Sequence, residues 1–306
     1  MQVMSKLFNK KLMDNPFVYH YTSVDALFSI LEGCRKSELH TLPFWAGCVY
    51  NSNDPREMEL GYETVKAILP QYEKSCDKSM NLSEVYSKPE YEDQCKKRIF
   101  QRPEDGLVEM SVVPYTISFS CKRDFLPMWS MYGENKKGVC LKFRLRSLID
   151  NLNTESCFVH YEGDKENIIK DDLLRSLYNT YGLFVEINTK GLTIEDKIKE
   201  LSILCNCISP FVKSKEWAYE SEFRIVTNVH YRQETDGKIF NRIQLTLPKI
   251  KIGDYEIIHI DPIFLEEIII GPMANYNVLE HVLRNELKEC LLNNVEITPS
   301  SIQITK

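Results

Sequence analysis

The sequence predicts an α+β fold in a single domain spanning residues 1–306. Three observations predict it. Short segments alternate apolar and polar residues with period two, as in VVPYTISFS at 112–120 and CFVHYEG at 157–163. Helical periodicity is gathered near the start, middle and end of the chain, without the regular strand–helix alternation of a parallel sheet. The composition, 43% hydrophobic and 27% charged over 306 residues, suits a globular chain long enough to bury a core.

Residues 1–16 read as an N-terminal arm. FVYHYT at 17–22 reads as a short strand. Thr22 or Ser23 then caps a helix, VDALFSILEGC, with apolar positions at Val24, Leu27, Phe28 and Leu31 and a natural stop at Gly33. A loop-rich stretch follows. It contains Asn53-Asp54-Pro55, a turn expected to open a helix with proline and acidic residues at its start. Residues 71–106 are polar and weakly periodic and read as a helical insertion or lid.

VVPYTISFS is the next strand, FLPMWSMYG a helix ending at Gly133, and GVCLKFRL at 138–145 another strand. Residues 165–213 form a helical segment within the domain. WAYESEFRIV, Trp217 to Val226, reads as a strand running on through VTNVHY. IQLTLPKIKIG and EIIHI add strands. LEEIIIGP, a helix over 278–292 and VEITPS close the chain as strand, helix and strand.

Lys+Arg 38 against Asp+Glu 44 gives a net charge of −6, which disfavours a general nucleic-acid binder. The chain carries no apolar run long enough for a membrane helix and no convincing signal peptide. Its ten cysteines are therefore expected as reduced thiols in the cytoplasm. Cys205 and Cys207 lie in an apolar helical stretch and read as structural, since zinc needs four ligands at workable spacing. Phosphate-binding, dinucleotide-binding, serine-hydrolase, zinc-protease and calcium-loop motifs are absent, so no metal is expected.

Four patterns carry possible chemistry. His20, at the end of a strand before a helix, is placed to bond a ligand, although packed histidines are common in such positions. Ser118 and Ser120 share one strand face and offer room and hydroxyls. Trp129 and Tyr132 lie three apart on a helix and can stack on a flat ring or simply fill a core. Glu220, Glu222 and Arg224 share a strand face, with the two carboxylates roughly 7 Å apart, two strand rises. Paired carboxylates serve glycosidases, bind divalent metals or stabilise a cation in a transition state. An exposed edge strand is the plainer reading of the same residues.

In this order the segments resemble a bacterial cytosolic family. Its motifs stand here as His20-Tyr21-Thr22-Ser23, Asn53-Asp54-Pro55, Ser118-Phe119-Ser120, Met128 to Gly133, Gly138-Val139-Cys140 and Trp217 to Arg224. Glu266 to Pro272 also fits. That family resembles the ADP-ribosyltransferase superfamily, including DarT-type toxins of the His-type branch. The resemblance implies a split β-sheet core flanked by helices and NAD as substrate. It implies that His20, with Tyr21 and Thr22 beside it, holds NAD. Ser118, Ser120, Trp129 and Tyr132 would shape the nicotinamide pocket, and Glu222 would be catalytic with Glu220 handling the acceptor. The implied role is a toxin or anti-phage effector. It would modify a macromolecule, whether protein, DNA or RNA, under the restraint of an antitoxin or regulatory partner. Two other readings stay open: a non-catalytic module binding a nucleotide or phage component, and a carboxylate-pair glycoside or nucleotide hydrolase.

Overall fold

The computed structural model describes residues 6–38, 40–74, 80–100, 111–152, 155–163, 192–233, 239–240 and 255–304. Among them the fold is α+β, a mostly antiparallel sheet with helices on its faces. In chain order the elements begin with α1 (Lys6–Asp14), β1 (Phe17–Thr22), α2 (Val24–Lys36), β2 (Leu42–Cys48), α3 (Glu57–Lys74) and α4 (Pro89–Phe100). Next come β3 (Ser111–Ser120), α5 (Leu126–Met131), β4 (Val139–Arg144), α6 (Leu145–Asn151), β5 (Glu155–Phe158) and β6 (His160–Tyr161). The chain continues with α7 (Ile194–Ile208), β7 (Val212–Lys213), β8 (Glu222–Gln233) and β9 (Ile239–Phe240). It closes with β10 (Tyr255–Ile260), β11 (Leu265–Ile270), α8 (Tyr276–Glu289) and β12 (Glu296–Pro299).

The sheet runs β10-β2-β3-β1-β4-β11-β12, with β8 on the other side of β3 and β5 and β9 on β8. Its pairs are antiparallel except β11 with β12. β3 is the spine. It pairs with β8 along its whole length, from Ser111↔Tyr231 to Ser120↔Glu222. Its other edge is shared by two strands that separate. β2 pairs with it at Gly47↔Thr116 and Cys48↔Tyr115, whereas β1 meets it only at Tyr19↔Ser120. The Ser118 carbonyl between them lies beyond both of these pairings. It accepts a 3.0 Å bond from the His20 imidazole Nδ1, whose ring sits edge-on to Phe44 and beside Phe119. The sheet is thus split between β1 and β2, and the histidine side chain supplies the bond that the ladder lacks there.

Apolar periodicity explains the layers. Leu27 and Leu31 of α2 and Leu283 and Leu287 of α8 pack onto Val18, Phe119, Leu141, Phe143 and Ile268. Each such side chain is worth about 1.5–3 kcal/mol when fully buried. A second core joins α3, α4 and α7 through Val65, Leu69, Cys95, Ile99, Leu201 and Leu204. A third, smaller one holds Tyr19, Tyr21, Met128, Trp129, Cys140 and Ile269.

Several expectations change. The N-terminal arm contains a helix, because Leu12 reaches the main core. Gly33 does not stop α2, which runs three residues further; a Cβ there would meet Pro43 Cγ at 2.4 Å, so the glycine serves a close approach to β2. Ser23, not Thr22, caps α2 by accepting from Ala26 N–H. The loop-rich stretch conceals β2, whose Leu42, Phe44, Ala46 and Cys48 are buried while Pro43 and Gly47 blur its strand signal. Of the 71–106 insertion, 71–74 end α3, and 82–87 and 89–100 are helical and pack into the second core; 75–79 and 101–106 lie outside the described residues. Of the 165–213 helical segment, 165–191 lies outside the described residues and α7 accounts for most of the rest, ending in strand β7. IQLTLPKIKIG also lies outside them. No helix among the described residues is long and apolar enough to cross a membrane. The nine described cysteines are thiols rather than disulfides, with Cys205 and Cys207 buried.

Candidate functional site

The Glu-Ser-Glu segment is not continuous strand. Lys215–Glu220 forms a 3-10 turn, Ser221 takes the left-handed conformation (φ 48°, ψ 59°), and β8 begins at Glu222. Glu220 therefore leaves the strand face that Glu222 and Arg224 share. Yet the turn folds it back, and both carboxylates meet one ammonium. Lys213 Nζ donates to Glu220 Oε2 at 2.5 Å and to Glu222 Oε1 at 3.1 Å. Arg224 Nε donates to Glu222 Oε2 at 2.7 Å. The same guanidinium clamps Glu57 of α3 through two 2.8 Å bonds and gives a third to the Pro210 carbonyl.

Neighbouring elements fix this cluster. Ser120 Oγ donates to the Glu220 carbonyl at 2.6 Å, and the Tyr161 hydroxyl accepts from Glu222 N–H at 2.9 Å. Asp54, in the Asn53-Asp54-Pro55 turn, accepts from Arg56 N–H and, at 2.6 Å, from Ser214 N–H. Thus the turn that opens α3 also anchors the segment leading to Glu220. Tyr132 follows α5 directly. Its hydroxyl donates to Glu220 Oε1 at 2.5 Å and accepts from Asn53 Nδ2 at 3.0 Å.

A cavity of about 260 Å³ opens beside the cluster at the split in the sheet. His20, Ser118, Tyr132, Lys213, Glu222 and Arg224 line it, with Trp45 and Asn53 on its wall. A larger hollow of about 710 Å³ lies by β4 and β11, but its lining includes none of the expected catalytic or NAD-binding residues. Among the described residues no cluster of His, Cys, Asp or Glu is grouped to hold a metal ion.

Burial and charge set the protonation states. Burial alone pushes the Glu222 carboxyl up, but Arg224 and Lys213 outweigh it and hold this group well below the ordinary glutamate range. Burial pushes Glu220 up, and the Glu222 carboxylate beside it adds to the rise against Lys213. Burial also raises Glu57, opposed by Arg224. Desolvation works against the Arg224 charge, but Glu222 and Glu57 more than restore it. Tyr132 is pushed far up by burial and by its bond to Glu220, so it stays a donor. Burial lowers His20 and so favours the neutral ring, an effect the bond to the Ser118 carbonyl partly offsets. The carbonyl partner assigns the proton to Nδ1 and leaves Nε2 an acceptor.

The expected site residues therefore separate. His20, Ser118, Tyr132 and Glu222 come together in one cavity. Ser120 and Tyr21 also line it, but their hydroxyls are spent on the protein. Ser120 bonds the Glu220 carbonyl and Lys122 N–H; Tyr21 bonds the Lys122 carbonyl and Phe125 N–H. Glu220 is fully buried and does not line the cavity, which it meets only through its partners Tyr132 and Lys213. Thr22 lies outside the lining. Trp129 is fully buried in the third core, donating Nε1–H to Asp124 and standing edge-on to Tyr21. It supports the wall from behind because its helical neighbour Tyr132, at the end of α5, takes the inward position. Lys213, Glu57, Asn53 and Trp45 escaped the sequence reading. Only Asn53 stood in a motif.

Residues 128–225 match the model of a family described as a protein of unknown function (DUF2971). That stretch contains Tyr132, Lys213, Glu220, Glu222 and Arg224 and stops short of His20 and Ser118. No curated protein and no solved structure matches the chain.

Proposed function

We infer that the chain is an NAD-dependent ADP-ribosyltransferase acting on a macromolecule, built on an ADP-ribosyltransferase-like split sheet. A bacterial toxin or anti-phage effector, held in check by an antitoxin or regulatory partner in the cytoplasm, is the biological role that goes with this reading. The observation that carries it is the cavity. Four positions far apart in sequence, His20, Ser118, Tyr132 and Glu222, line it together.

The chemistry suits these groups. The bond between ribose C1′ and the nicotinamide nitrogen breaks, and its electron pair leaves with nicotinamide. The sugar becomes a cation, which the ionised Glu222 carboxylate stabilises while accepting a bond from the ribose 2′-hydroxyl. The acceptor nucleophile then attacks C1′, and its proton passes to solvent water. The neutral His20 and Ser118 offer hydrogen bonds to the ribose side, and the Tyr132 ring offers a face to nicotinamide.

Purified protein incubated with NAD and protein, DNA or RNA acceptors tests this through nicotinamide release. Glu222→Gln is expected to lower the rate by roughly 10²–10³. Equal release by the wild type and this variant would falsify the proposal.

One observation favours a second reading, a non-catalytic nucleotide-binding module. Both Glu222 oxygens are already held, one by Lys213 and one by Arg224. That reading expects NAD or a related nucleotide to bind, by calorimetry, with no nicotinamide released. A carboxylate-pair hydrolase fits less well, because it needs two carboxylates facing the cleft and Glu220 is fully buried.

A further inference from the structure

We propose that Lys213 is a positioning residue that divides the work of the two glutamates, holding Glu222 ionised at the cavity and leaving Glu220 behind it to carry the shared proton. Its burial is the first support: Lys213 is 2% exposed, and a buried lysine is costly unless paired. The second is its geometry. One ammonium spans the two carboxylates and lies 4.7 Å from the centre of the Trp217 ring. The third is a charge imbalance. Glu57, Glu220 and Glu222 face only two cations in this cluster, Lys213 and Arg224.

Arg224 is committed to Glu57 by two bonds and to Glu222 by one. Glu222 thus has two cationic partners, and Glu220 has only Lys213 and the neutral Tyr132 hydroxyl. A buried site with an unbalanced carboxylate lowers its energy by keeping one proton, and the less supported group keeps it. The two groups titrate as a coupled pair.

Among the described residues no further lysine or arginine pairs with these carboxylates. Asp54, beside β7, is turned to Ser214 N–H and Arg56 N–H. On β6, His160 pairs in register with Val212 and Tyr161 bonds Glu222 N–H. Glu162 turns its carboxylate to Arg56. Lys213 is the ammonium that reaches both glutamates.

The test is a pH titration of the glutamate side-chain carboxyls by NMR, on protein labelled with ¹³C-glutamate and free of ligand. In the wild type, the carboxyl whose signal Glu220→Gln removes is expected to titrate above the ordinary value of about 4.3, and the low one, which Glu222→Gln removes, below it. Glu57, also raised by burial, is told apart because its signal survives in both variants. Lys213→Met should raise the low one by about 1–3 pH units, and Lys213→Arg should bring it back. No step needs NAD. A wild type that titrates as expected yet releases no nicotinamide would count against the transferase and leave the Lys213 assignment standing. The assignment is overturned by a folded Lys213→Met whose titration superimposes on the wild type. It is equally overturned if the carboxyl whose signal Glu220→Gln removes does not titrate above the ordinary range in the wild type.

Discussion

At the start of β8, Glu57, Lys213, Glu220, Glu222 and Arg224 form an ion cluster in which no side chain is more than 5% exposed. Further across the sheet, on β4, β11 and the loop after β3, Arg123, Lys142, Arg144, Glu266 and Glu267 form a second one. There Arg144 is 62% exposed and Arg123 44%. Both use similar residues at similar distances. They differ in what water does for them. In the outer cluster the exposed Arg144 pairs with Glu266 under solvent screening, so that pair is worth little and costs little, although Glu267 beside it is buried. In the inner cluster each charge has lost its hydration and depends on its partners. Such an arrangement is a poor way to gain stability, since apolar side chains of equal volume would serve as well. Its place beside a cavity accounts for it better than stability does.

Four measurements break or sharpen this contrast. The largest effect is expected from Arg224→Met, which strands Glu57 and Glu222 without their guanidinium. It should cost about 3–5 kcal/mol in denaturant unfolding. A loss below 1 kcal/mol would mean the inner cluster behaves like a surface one. Tyr132→Phe comes next, removing a bond to a buried carboxyl, and should cost about 1–3 kcal/mol.

The third measurement is pH dependence. The Glu222 carboxyl is held low, so its contribution is present above the ordinary glutamate range and is lost as pH falls through its depressed value. Glu220 is raised, so its contribution is present at low pH and is lost as pH rises through its elevated value, about 7. Melting temperatures of Glu220→Gln should therefore fall less than those of the wild type between about pH 4.5 and 7. Identical slopes would place the retained proton elsewhere. The smallest effect is expected from Arg144→Ala in the outer cluster, about 0–1 kcal/mol and reduced by salt. A larger loss there would erase the distinction between the two clusters.

Much of the site was legible because its residues sit in short motifs on regular elements. His20, Ser118, Tyr132 and Glu222 could each be placed on an element, and their order along the chain grouped them. Lys213 was not legible. It stands between α7 and a 3-10 turn in no pattern, and only tertiary packing brings it to the glutamates. Glu57 is similar, since an acidic residue in the first turn of a helix already has a local explanation. Glu220 was misplaced because nothing marks Ser221 as left-handed, a conformation uncommon for serine. Trp129 was given to the cavity because helical spacing puts it on a face with Tyr132, and spacing does not say which of the two turns inward. The fold class followed from periodicity, but the split in the sheet did not, as register between distant strands leaves no local trace.

That split governs how the two halves of the sheet communicate. On the cavity side of β3, one backbone pair, Tyr19 with Ser120, and one imidazole bond from His20 join β1 to its neighbour. The cavity lies across this joint, with β1, β2, β3 and β8 all contributing to its wall. A molecule seated there would touch all four strands at once, so its binding would stabilise them together.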